Sequence, residues 1–148
     1  MSINQITLND VEFFRTIAAQ RNALDQYASI ATKSAIYPGS GTPLGLAYVA
    51  LKMNGEAGEF AEHVGKAMRD DKYIGVDEDD YGRFADLESS LTTERRTLLI
   101  KEIGDVLWYL SAACNELGIS LSDAALVNLE KLYDRTQRNT LQGSGDNR

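Results

Sequence analysis

Apolar positions along this chain recur at helical spacing, and no stretch alternates apolar and polar residues as a half-buried strand would. Val11, Phe14, Ile17, Ala18, Leu24, Tyr27, Ile30 and Ala31 follow that period and predict a first helix. It starts in Thr7-Leu-Asn-Asp10, with Thr7 or Asn9 as its cap. The segment Tyr37-Pro-Gly-Ser-Gly-Thr-Pro43 breaks the pattern, because glycine and proline dominate it. A second helix is predicted from about Leu44 to Arg69 and a third from about Thr93 to Leu117, with Gly118 as its C-terminal stop. Ser120-Leu-Ser-Asp123 resembles a capping box with Asp in the Glu position, and opens a fourth helix that runs to about Asn139. Between the second and third helices, Asp70 to Leu91 is polar and reads as an irregular acidic insertion, about 72–92. The expected architecture is all-α, a four- to five-helix bundle. Residues 1–142 form its domain and 143–148 a polar tail.

A helix turns about 100° per residue, so side-chain directions can be summed along each one. With Glu56 at zero, the apolar set Leu46, Val49, Met53, Phe60 and Val64 centres near +60°, roughly, while Glu59 falls near −60° and Glu62 near −120°. With Glu102 at zero, Leu99, Ile103, Val106, Leu110, Ala113 and Leu117 again centre at about +60°, and Asp105 at about −60°. Tyr109 lies close to Glu102 in direction, two turns along. On the fourth helix, Asn128 flanks the stripe Leu121, Ala125, Leu129 and Leu132, with Lys131 and Arg135 beside it. Three helices thus carry polar groups on the same shoulder of an apolar stripe. Two supply acids and one supplies an amide and cations. Four carboxylates converging in a cleft repel one another unless cations neutralise them. Hard divalent cations take such oxygen ligands, and Lys131 and Arg135 could hold phosphate oxygens. Read singly, each i,i+3 acid pair is an ordinary solvated helix face.

Charge and composition narrow the partners. A formal net charge of −7 disfavours binding to long nucleic acid, which needs clustered Lys and Arg. No apolar run is long enough to span a membrane, and the first residues show no secretory pattern. Cys114 is the single cysteine, which suits a reducing cytoplasm and a small buried role.

The acid pairs read Gly55-Glu56-Ala-Gly-Glu59-Phe-Ala-Glu62 and Lys101-Glu102-Ile-Gly-Asp105-Val-Leu-Trp-Tyr109-Leu. In these motifs the sequence resembles the MazG-type all-α nucleotide pyrophosphohydrolases. The likeness extends to Tyr37-Pro38, Asn128-Leu-Glu-Lys131-Leu-Tyr-Asp-Arg135 and the ending Gly143-Ser-Gly-Asp-Asn-Arg148, and omits the stretch around 72–92. It implies hydrolysis of a (deoxy)nucleoside triphosphate to the monophosphate and pyrophosphate, by water attack at the α-phosphorus. It implies Mg²⁺, or Mn²⁺ in its place, held by Glu56, Glu59, Glu102 and Asp105. Glu59 would be the base, with Glu56 beside it. Asn128, Lys131, Arg135, Tyr109 and Lys66 would touch the nucleotide. A homodimer or homotetramer is implied, because members pair helices between chains. One departure stands out: the gap from Glu59 to Glu102 is longer than the family usually shows.

Other features have plainer readings. Asp77-x-Asp79-x-Tyr81-Gly82-x5-Glu88 follows the register of a calcium loop but has Tyr81 in place of one ligand. His63 lies near Glu56 in direction and is expected to cap the cleft. Lys52 and Lys66 are phosphate contacts or solvated partners of Glu56 and Glu62. Trp108 faces away from the main stripe and is expected to pack on the first helix or a second subunit. The alternatives to an enzyme are a non-catalytic helical interaction or regulatory protein, and a calcium binder acting through residues 77–88.

Overall fold

A computed structural model describes residues 6–18, 20, 22–71 and 91–138. The insertion at 72–90, with its calcium-loop pattern, and the polar tail lie outside the described residues. Among the described residues there are five α-helices, one short 3-10 helix and no strand. The helices are α1 (Leu8–Ala18), α2 (Ala23–Ala31), α3 (Pro43–Asp70), α4 (Thr93–Leu117) and α5 (Leu121–Gln137), with the 3-10 turn Thr32–Ser34 after α2. The fold is all-α. No described helix is long and apolar enough to cross a membrane.

The predicted first helix is two helices. Periodicity carries on through residues 18–24, but Asn22 takes extended backbone geometry and caps a new helix. Its Oδ1 accepts from the backbone N–H groups of Leu24 and Asp25 at 2.9 and 3.2 Å. Its Nδ2 donates to Ser122 Oγ at 2.7 Å, which ties the break to the start of α5. A side chain that satisfies the orphan donors of a helix start competes directly with helix continuation. Asn22→Ala is therefore expected to lower stability by about 1–2 kcal/mol, as read by urea denaturation.

The other boundaries follow their local chemistry. At the start of α1, Thr7 Oγ1 accepts from the Asp10 backbone N–H at 3.3 Å, while Asp10 Oδ2 accepts from the Thr7 N–H at 2.8 Å. The turn before α3 places Gly39 at φ +74, and a Cβ there would stand 2.8 Å from the Leu44 side chain, so both conformation and space demand glycine. Pro43 then occupies the first turn of α3, where its missing N–H costs nothing. Gly118 at φ +67 ends α4. Its N–H donates to Asn115 O at 3.1 Å and that of Ile119 to Cys114 O at 3.0 Å, the paired bonds of a Schellman stop. Ser120 and Asp123 form the expected capping box of α5.

The chain divides into two compact units, Met1–Ile36 with Ser111–Arg148, and Tyr37–Leu110, so the division falls within α4. In the first unit α1 and α2 pack on α5. Val11, Ala112, Cys114, Leu121, Ser111 and Ser122 are buried there. Ser122 is a polar core residue, and its N–H donates to Asp25 Oδ1 at 2.9 Å. The second unit holds α3 and the first part of α4. Val49, a member of the predicted stripe, is buried, and so is Ala67. Ile100 and Ile103, however, are 59% and 55% exposed, and Ile103 belongs to the stripe expected to be buried. With Phe60, Val64, Leu91 and Leu99 they line an apolar groove of about 310 Å³.

Candidate active site

The acids of α3 and α4 meet within the second unit. Glu56, Glu59 and Glu102 each place a carboxylate oxygen within 4.8 Å of the others. They differ in exposure: Glu102 is buried, Glu56 half-buried and Glu59 exposed. This order follows their positions on the shoulders of the two stripes. Asp105 stands outside that group of three, and lines a cavity of about 400 Å³ with Glu56, Trp108 and Tyr109. Glu62 points outward and pairs with Lys66 at 2.8 Å, which holds its carboxyl below the usual range. Lys52 Nζ lies 3.6 Å from Glu56 Oε1.

Three carboxylates this close, one of them buried, form a donor set of hard oxygens. That chemistry fits a divalent cation such as Mg²⁺ or Ca²⁺ and not a soft-ligand metal. Among the described residues this is the group of acidic side chains arranged to hold an ion.

Aromatic side chains border the acids. Tyr37, from the turn before α3, stacks on Tyr48 with ring centroids 5.7 Å apart and an interplanar angle of 11°. Trp108 meets Tyr37 edge-on at 6.4 Å and Tyr109 edge-on at 4.8 Å. Trp108 thus packs on aromatic residues of its own unit, and one of them, Tyr37, comes from the glycine-rich turn. Burial raises the pKa of the Tyr109 phenol, Lys52 opposes this, and the carboxylates of Glu56 and Asp105 add to it. Tyr109 therefore stays a protonated donor at the rim of the acid cavity.

Arg95 and Asp71, the neighbours of His63, are the features that sequence reasoning missed. His63 Nε2 lies 3.7 Å from Glu102 Oε1, so it faces the acid of the other helix and does not merely cap the cleft near Glu56. Arg95 Nη1 lies 3.4 Å from His63 Nδ1 and forks onto Asp71, with Nε to Oδ2 at 2.8 Å and Nη2 to Oδ1 at 3.3 Å. Those hydrogen bonds hold the Asp71 carboxyl below its ordinary range. The signal was spacing: His63 follows Glu56 by seven positions and Arg95 precedes Glu102 by seven, about two helical turns in each case.

The remaining predicted contacts lie on α5, in the first unit. Asn128 and Lys131 are exposed there and Arg135 is buried.

An all-helical protein with paired acids on two long helices has the layout of a carboxylate site built between the helices of a bundle. The MazG nucleotide pyrophosphohydrolase domain matches residues 47–139, and so covers all four acids and α5. The chain belongs to the MazG nucleotide pyrophosphohydrolase family. It is also 39% identical over 128 residues to the Gene 37 protein of Mycobacterium phage L5, covering 84% of this chain and 98% of that protein. No solved structure matches the chain significantly.

Proposed function

We propose that this chain hydrolyses (deoxy)nucleoside triphosphates to the monophosphate and pyrophosphate, with Mg²⁺ held by Glu56, Glu59, Glu102 and Asp105. The observation that carries the reading is the convergence of Glu56, Glu59 and Glu102 within 4.8 Å, from two helices that the family's domain spans. A divalent cation bound there supplies charge neutralisation for the triphosphate oxygens. Glu59, the exposed member, accepts the proton of the attacking water. A new O–P bond forms at the α-phosphorus as the bond to the bridging oxygen breaks, and the electron pair leaves with pyrophosphate. Glu102, buried at the back, holds its place in the cluster. Tyr109 donates to the nucleotide from the rim. Lys66, Asn128, Lys131 and Arg135 are proposed as phosphate contacts on the family resemblance.

A homodimer or homotetramer is part of this reading, supported by the exposed apolar groove around Ile100 and Ile103. A cytoplasmic setting completes it, in keeping with the lone Cys114.

The test is a panel of ribo- and deoxynucleoside triphosphates with Mg²⁺, read by pyrophosphate detection and chromatography of the nucleotide product. Equal amounts of pyrophosphate and monophosphate are expected, with loss of turnover in a chelator. Release of orthophosphate with a nucleoside diphosphate, or no turnover of any triphosphate with Mg²⁺ or Mn²⁺, would overturn the reading.

A further inference from the structure

We propose that Asp71, Arg95 and His63 form a positioning chain that fixes the His63 ring with its proton on Nε2, aimed at the Glu102 carboxylate. The inference rests on the reading of the acids as a metal centre, and adds three residues to it that are not themselves ligands.

The argument is one of donors and acceptors. A guanidinium has only donors, so the nitrogen it approaches must offer a lone pair. Arg95 Nη1 approaches His63 Nδ1 at 3.4 Å, which makes Nδ1 the acceptor. The ring proton then sits on Nε2, the nitrogen that faces Glu102 Oε1 at 3.7 Å. That distance is longer than an ordinary hydrogen bond, so in this state the neutral ring supports the carboxylate by its N–H dipole and its shape. Arg95 is itself held, because its fork lies across Asp71 with contacts at 2.8 and 3.3 Å. Side-chain exposure is low all along the chain: 17% for Asp71, 13% for Arg95, 19% for His63 and 11% for Glu102. Groups so sheltered interact more strongly than surface pairs.

The placement serves the acid cluster. Glu102 is its buried member, and its side chain must present oxygens toward Glu56 and Glu59 on α3. His63 also belongs to α3, two turns beyond Glu56, and so braces Glu102 from the side of the helix that carries its fellow acids. Asp71 caps the end of α3 and Arg95 sits in the first turns of α4, so their fork joins the two helices next to the cluster. Outer groups that orient metal ligands in this way commonly affect metal affinity as well as structure.

The experiment has two arms. His63 is the only histidine in the chain, so a long-range ¹H–¹⁵N correlation spectrum of the intact protein reads its tautomer without ambiguity. At about pH 8, above the ordinary histidine range, the proton is expected on Nε2. Arg95→Met keeps the apolar stem, removes the donors and is expected to move proton density to Nδ1. A wild-type ring protonated on Nδ1 overturns the chain, whatever any variant does.

The second arm titrates the protein with Mn²⁺ alone, read by electron paramagnetic resonance of the free ion. His63→Phe and Arg95→Met are each expected to weaken Mn²⁺ binding about tenfold, and His63→Gln, which restores an N–H donor, to recover most of the loss. Wild-type affinity in both His63→Phe and Arg95→Met, beside weakened binding in Glu102→Gln, overturns the positioning chain and leaves the metal centre standing. Wild-type affinity in Glu102→Gln overturns the centre and the chain's role with it.

Discussion

Glu102→Gln is expected to cut Mg²⁺-dependent pyrophosphate release by about a thousandfold or more, roughly 4 kcal/mol of transition-state stabilisation, while the helical circular dichroism stays intact. The substitution preserves shape at a buried position and removes one negative charge from three carboxylates that lie within 4.8 Å. Two such charges repel by about 3.5 kcal/mol at an effective dielectric constant of about 20. Exposure of Glu59 and the Lys52 contact to Glu56 reduce the real figure. The sign still holds: without metal the variant should melt at or above the wild-type temperature. Stability and activity thus move in opposite directions, as expected where a site stores repulsion for a ligand to relieve. Added Mg²⁺ should raise the wild-type midpoint, because an ion that binds only the folded state stabilises it, and should raise that of the variant much less. Undiminished turnover in Glu102→Gln, or equal metal stabilisation of both proteins, would sink the assignment.

The parts of this picture that the sequence made legible are those set by neighbours a few positions apart. The start of α4 at Thr93, its stop at Gly118 and the Ser120/Asp123 box are each local bargains over orphan backbone groups. The pairing of acids was legible for a similar reason, since regular rotation places Glu56 and Glu102 on matching shoulders of two stripes. The break before α2 was not, because periodicity runs through it. What decides it is Asn22, whose cap is reinforced by Ser122, a hundred positions away.

Rotation gives a direction and never a partner. It turned Trp108 away from the stripe, but only the fold brings Tyr37 against it. It put His63 beside Glu56, yet the group that His63 faces is on the other helix. Arg95 and Asp71 drew no notice in the sequence because an arginine and an aspartate at helix ends are ordinary surface residues. Their low exposure and mutual fork give them meaning only once α3 and α4 are both in place.

The same limit applies to the apolar stripe, and it leads to the second large effect. Ile100→Glu is expected to convert a homo-oligomer to monomers in sedimentation velocity, with association weakened about a thousandfold or more. Ile100 and Ile103 stand more than half exposed beside Phe60, Val64, Leu91 and Leu99. Contiguous apolar surface of this kind on a small chain marks an interaction site more often than chance. In a two-fold interface one substitution appears twice, so an unpaired carboxylate in apolar surroundings, at about 2 kcal/mol or more each, is felt doubly. The isolated chain should barely notice, because an exposed position tolerates Glu within about 0.5 kcal/mol. If a second copy also completes the active site, specific activity of the variant should fall at low protein concentration and recover as concentration rises. A wild-type chain that sediments as a monomer at full activity would remove the oligomer from the proposed function, as would an Ile100→Glu protein that sediments like the wild type. Either result would leave the acid cluster, which lies within one chain, untouched.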